Sequence, residues 1–309
     1  MKRVVSISLG SSTRNKKAEI EILGEKFIIE RIGTDGDLKK AVEMIKELDG
    51  KVDAFGMGGI DLYLSAGNKR YVIRDALPLK NAAKITPIVD GSGLKNTLER
   101  RVIKYIQQKG IVDLRGKKVL ITSAMDRYGM AKAFEEEGAS LIIGDLMFAL
   151  NVPIPLHSLR LVYFLSFIIV PVVVRLPFEM IYPTGEKQLK MDSKKYERFY
   201  KEADIIAGDF LFIKRFMPED LKGKVIVTNT VTPEDVETLR QRGVEILITT
   251  TPNINGRSFG TNVMEGVLVA IAGKKQEEMT AKDYEELLDK IGFEPRVEYL
   301  QKKGGNESA

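Results

Sequence analysis

One stretch, Lys117 to Asp145 (KKVLITSAMDRYGMAKAFEEEGASLIIGD), restricts what this chain can fold into, because it reads as strand, helix and strand closed by an acid. Val119, Leu120 and Ile121 form a short apolar run with polar borders, the pattern of a parallel strand buried on both faces. From Arg127 to Glu137 the period becomes helical, with Met130, Ala133 and Phe134 on one side. Gly138 then ends the helix, since glycine takes positive φ without a Cβ clash. Leu141 to Ile143 is the second strand and Asp145 stands at its carboxyl end. This is the first βαβ unit of a doubly wound sheet, and the fold class it predicts is α/β.

In such a unit, the turn after the first strand offers backbone amides to a dinucleotide pyrophosphate. An acid about 20 residues on accepts from the adenine ribose. Ser123, Ala124 and Gly129 are the turn candidates and Asp145 the ribose candidate, which favours NAD over NADP because a carboxylate repels a 2′-phosphate. The glycine fingerprint is reduced to Gly129 alone, and Asp126 is placed to cap the helix with a carboxylate where a phosphate would sit. Two readings follow: a dinucleotide site, or an architecture kept without the ligand.

The rest of the chain supplies an α/β unit on the amino-terminal side. Val4–Leu9 is a strand, a hairpin turns at Gly24-Glu25, and Asp37 caps a helix carrying Leu38, Ala41, Val42, Ile45 and Leu48. We place one unit at residues 1–110, a Rossmann-like unit at 111–300 and a disordered polar tail at 301–309. Beyond the first βαβ unit, strands end at Gly208-Asp209, Thr228-Asn229-Thr230 and Thr249-Thr250-Thr251. Thr232 opens a helix with Pro233 at its first position. Carboxyl ends of strands share one edge of such a sheet, so Asn229, Thr230 and Thr250 join the cofactor candidates. Arg257 suits a carboxylate or phosphate.

Composition narrows the chemistry. The absence of cysteine excludes disulfides, thiolate metal sites and thiol nucleophiles, and the single histidine, His157, makes a Ser-His-Asp triad or a His-rich metal site improbable. A net charge of +5, spread along 309 residues, suits a small anionic ligand and does not mark a nucleic-acid surface. Met1-Lys2-Arg3 runs directly into a strand, so the expected location is cytoplasmic. An apolar insertion, 146–183, holds the uncharged run Leu161 to Val174 between Arg160 and Arg175. It is shorter than the ~20 residues that span a bilayer. The expectation is a buried helix or homo-oligomer interface, with a monotopic membrane contact as the alternative.

The order of units resembles that of shikimate and quinate dehydrogenases. Pro78-Leu79-Lys80-Asn81-Ala82-Ala83 is similar to the stretch that carries that family's catalytic lysine. The run through ITTTP and GRSFGTNVMEG resembles bacterial proteins labelled quinate 5-dehydrogenase, and Ser8-Leu9-Gly10-Ser11 is the nearest match to the serine motif that holds the substrate carboxylate. The family's catalytic aspartate follows an Asn-Thr pair; here Leu98 follows Asn96-Thr97, which leaves Asp90 as the substitute. The resemblance implies an NAD(P)-dependent oxidoreductase acting on a small polyhydroxy acid, with Lys80 and Asp90 as catalytic residues. The alternative is a non-catalytic nucleotide-binding or interaction protein.

Overall fold

The computed structural model describes residues 1–66, 69–177, 194–254 and 257–301. The amino-terminal sheet is built from β1 (Lys2–Ser8), β2 (Lys16–Ile22), β3 (Glu25–Gly33) and β4 (Ala54–Gly58), with α1 (Leu38–Leu48) crossing between β3 and β4. A hairpin of β5 (Tyr63–Ala66) and β6 (Lys69–Val72) precedes α2 (Leu77–Ala82) and the two-residue β7 (Ile88–Val89). Strand order is β2-β3-β1-β4-β7, parallel except for the β2/β3 hairpin. Lys80 thus stands on a short helix, where the sequence predicts irregular chain.

The second sheet takes β8 (Lys118–Ile121), β9 (Ser140–Ile143), β10 (Ile205–Gly208), β11 (Val225–Thr228), β12 (Ile246–Thr249) and, after a small pair β13 (Asn253–Ile254) and β14 (Arg257–Ser258), the edge strand β15 (Arg296–Tyr299). Its order is β15-β12-β11-β10-β8-β9, parallel except for β15. Helices lie on both faces, so the fold is α/β and this sheet is doubly wound. Val119 and Ile121 join a core with α3 (Ser92–Gln108) and α4 (Tyr128–Glu136), while Leu120, one residue out of phase, joins the core on the other face. Among the described residues, no third strand after β9 continues the first half. A π-helical turn, Asp145–Ala149, leads to Leu156, which makes a single antiparallel bridge to Ile143.

The insertion forms α5 (Leu159–Val173). It is half-buried, and it belongs to both units: Leu159 and Val162 enter the second unit's core, Val170 and Val174 the first unit's. The remaining helices among the described residues are α6 (Glu197–Glu202), α7 (Phe210–Phe216), α8 (Pro233–Gln241), α9 (Thr261–Ala272) and α10 (Ala281–Lys290). Thr232 caps α8 in the capping box its sequence spells. The expected tail from 302 falls outside the described residues.

Helix α9 returns to the amino-terminal sheet, where Val263, Val267 and Ala270 pack on Val4, Phe27, Ile29 and Ala54. At its centre Glu265 is fully buried. Its carboxylate accepts from Gly91 N at 2.7 Å, the Tyr284 hydroxyl at 2.6 Å and Gln276 Nε2 at 3.1 Å, and the same Gln276 amide also reaches Asp90. Burial first, then the Asp90 charge, push the Glu265 carboxyl up to about 7. Because the folded state prefers the protonated form, the stabilising contribution is complete below the ordinary value of 4.5. It is lost as pH rises to about 7. Wild type should therefore lose on the order of 2–3 kcal/mol of unfolding free energy across that window relative to Glu265→Gln, measured by urea titration at each pH.

Candidate functional site

Two amides of the turn after β8 are taken by a side chain of the same unit. Asp145 Oδ2 accepts from Ala124 N at 2.7 Å and Oδ1 from Met125 N at 2.8 Å, with the Ser123 hydroxyl 3.4 Å from Oδ1. The carboxylate is buried, and burial raises its pKa to about 6 against the opposing effect of those amide donors. Asp145 therefore satisfies donors that a pyrophosphate would use, in place of reaching toward a ribose. The sequence assigned the blocking role to Asp126, but Asp126 does not cap α4; it pairs with Lys95 at 2.8 Å. Gly129 serves packing: a Cβ there would lie 2.1 Å from Asn96 Oδ1, so the glycine lets α4 close on α3.

The crevice between β8 and β10, where the sheet changes winding direction, is bridged by Arg127. Its side chain is 3% exposed and pairs with Glu99 of α3, with Asp209 at 3.2 Å and with Asp126 at 3.7 Å. Asp209 caps α7 through Leu211 N and accepts from Asn229 Nδ2 at 2.7 Å. Lys95, one turn before Glu99 on α3, links Asp126 to Asp61 of the β4–β5 loop at 3.5 Å, so the cluster joins the carboxyl-end faces of both sheets. Burial alone would lower the Lys95 pKa, but Asp126 and Asp61 outweigh it and hold the ammonium protonated. Burial keeps the Glu99 carboxyl above its ordinary range even beside Arg127, and its Oε2 has no hydrogen-bond partner.

The other predicted residues fall in two places. Thr250 is fully buried, its backbone N bonded to Thr228 O at 2.8 Å and its hydroxyl without a partner; Asn229 belongs to the Asp209 cluster, and Thr230 is half-buried beside it in sequence. Lys80 and Asp90 meet at Tyr63. Lys80 Nζ lies 3.0 Å from the Tyr63 hydroxyl and 2.9 Å from Glu277, whereas Asp90 accepts from the Leu62 and Tyr63 amides, from Ser92 and from Gln276. Burial opposes but does not offset the Glu277 and Tyr63 contacts, so the Lys80 pKa is raised. The side chain of Arg257 lies outside the described residues. Two cavities, of about 370 and 210 Å³, lie elsewhere, one by Arg115 and Gly138, the other by Lys117, Asp204 and Gly223 near the amino ends of the strands. Among the described residues no group of three or more acids or histidines is placed to hold a metal ion, and no helix is long and apolar enough to cross a membrane.

Residues 93–300 match the family model described as Domain of unknown function (DUF8754), and residues 3–90 match that of DUF8753. The chain belongs to the DUF8754 family. The two matches meet at Gly91, the residue whose amide Glu265 holds, and α3 lies on the DUF8754 side, in whose core it packs. No curated protein sequence matches this chain. Similar solved structures include L-tryptophan dehydrogenase from Nostoc punctiforme, 10% identical over 94% of this chain and 80% of that one, with a TM-score of 0.38. A glucose-galactose binding protein from Geobacillus stearothermophilus is 9% identical over 98% and 99%, with a TM-score of 0.37. An NAD-dependent malic enzyme from Thermotoga maritima is 14% identical over 94% and 84%, with a TM-score of 0.33. Likeness at these scores fixes neither substrate nor cofactor.

Sequence reasoning passed over Arg127, Glu99, Lys95, Asp61 and Asp209. One signal was available in this DUF8754 chain: Lys95 and Glu99 sit four apart on a helix whose neighbours Leu94, Leu98 and Val102 are core residues, so charges there need buried partners. Removing Arg127 leaves Glu99 uncompensated. Arg127→Met should cost about 3–5 kcal/mol in urea unfolding, and adding Glu99→Leu should recover a large part of it.

Proposed function

We propose that this protein binds a small polyhydroxy compound at the carboxyl-end face where its two sheets meet. The supporting observation is the converging set Asp61, Lys95, Asp126 and Asp209, 13–28% exposed, with Asn229 hydrogen-bonded to Asp209. Carboxylates accept from hydroxyls while the lysine and the amide donate, which is the complement a polyol needs. Asp61, Asp126, Asp209 and Glu99 pair with Lys95 and Arg127 in this cluster, an acidic balance that opposes a pyrophosphate and tolerates neutral hydroxyls. Quinate and shikimate are the members of this class that the sequence resemblance suggests, their single carboxylate being within the capacity of one ammonium.

A second reading, NAD(P)-dependent oxidation of such a compound, is favoured by the parallel unit from Lys118 to Ile143 with Asp145 at its end. As arranged, the residues do not fit the dinucleotide, since Asp145 holds the amides of Ala124 and Met125 and Arg127 spans the crevice. NAD would be preferred to NADP once Asp145 turned outward.

Calorimetric titration with quinate, shikimate, NAD, NADH, NADP and NADPH separates the readings. The expected result is binding of a polyhydroxy acid, weakened at least ~10-fold by Asn229→Ala through loss of a hydrogen-bonding partner worth about 1.4 kcal/mol, with no dinucleotide bound. Binding of NAD that Asp145→Ala weakens would instead establish the oxidoreductase reading.

A further inference from the structure

Among the described residues, helix α5 has one side fixed in both cores and the other side exposed. Leu159, Val162, Ser166 and Val170 are buried at spacings of three and four. On the opposite face Leu161, Phe164, Ile168 and Val172 repeat the same spacing at 45, 66, 70 and 58% exposed. Exposed apolar side chains scattered singly need no explanation, but a continuous stripe along a helix anchored through its other face does.

Two occupants compete, and area and charge decide between them. At 45, 66, 70 and 58% exposure these four side chains present, even at the roughly 150–250 Å² of a whole aromatic side chain, about 350–600 Å² together, below the ~800 Å² per partner of a standard protein interface. Charge opposes a second copy as well: Arg160 and Arg175 flank the stripe, both exposed, and no Asp or Glu occurs between Asp145 and Glu179. Pairing α5 with itself in either direction brings arginines together with no acid on the helix to offset them.

We propose that the outer face of α5 rests on a membrane surface bearing anionic lipid. The 15-residue helix, about 22 Å long, lies in the plane of the interface with Phe164 and Ile168 directed into the acyl boundary. Arg160 and Arg175 reach back to the headgroups. The contact is shallow and reversible, as the small apolar area requires. It stands independently of any ligand at the cleft.

Flotation of the full chain with phosphatidylcholine vesicles, with and without phosphatidylglycerol, tests this. Wild type should co-float several-fold more with the anionic vesicles. Phe164→Glu/Ile168→Glu should stay at the bottom of the gradient with unchanged circular dichroism and melting temperature. Arg160→Gln/Arg175→Gln should lose the preference for phosphatidylglycerol. Absence of wild-type flotation, or equal flotation of the double-glutamate variant, would overturn the proposal. So would light scattering that finds a wild-type dimer which the glutamates convert to monomer, since the stripe would then be covered by a second copy.

Discussion

Arg127 ties the molecule together. Its guanidinium sits where the second sheet reverses its winding, and it joins Glu99 on α3, Asp209 at the start of α7 and Asp126 in its own turn. A buried charge of this kind tolerates little displacement, because each lost partner leaves another ion desolvated. The β8 turn, α3 and the β10 end are held in one register by it, and Lys95 extends the same constraint to Asp61 on the amino-terminal unit.

The same arrangement explains why an architecture associated with dinucleotides has a closed turn. A glycine fingerprint keeps amides clear for phosphate; this chain puts Ala124, Met125 and Asp126 there and satisfies two of the amides internally with Asp145. The acid whose position suggests a ribose ligand thus stabilises the turn itself. Sequence spacing places Asp145 at the correct edge of the sheet, but spacing carries no information on which neighbour its oxygens choose.

Legibility followed the range of the interaction. The βαβ unit, the α8 capping box and the apolar register of α1 were readable because each depends on residues within a few positions of one another. Strand β15 was not: it is an antiparallel edge that exists by pairing with β12, across some fifty residues. The charged cluster escaped for a related reason, since Arg127 meets Glu99 and Asp209 from positions 28 and 82 residues away. Lys80 and Asp90, singled out by resemblance, meet through Tyr63, a residue that no motif marks.

Helix α9 lies near the end of the chain yet covers one face of a sheet whose strands all lie within the first 89 residues. During synthesis, Val4, Phe27, Ile29 and Ala54 must therefore emerge and wait, exposed, while more than two hundred further residues are made. The first unit cannot bury that face before α9 is made, and a ribosome pausing short of it would hold a chain with a bare β-sheet face for chaperones to shield.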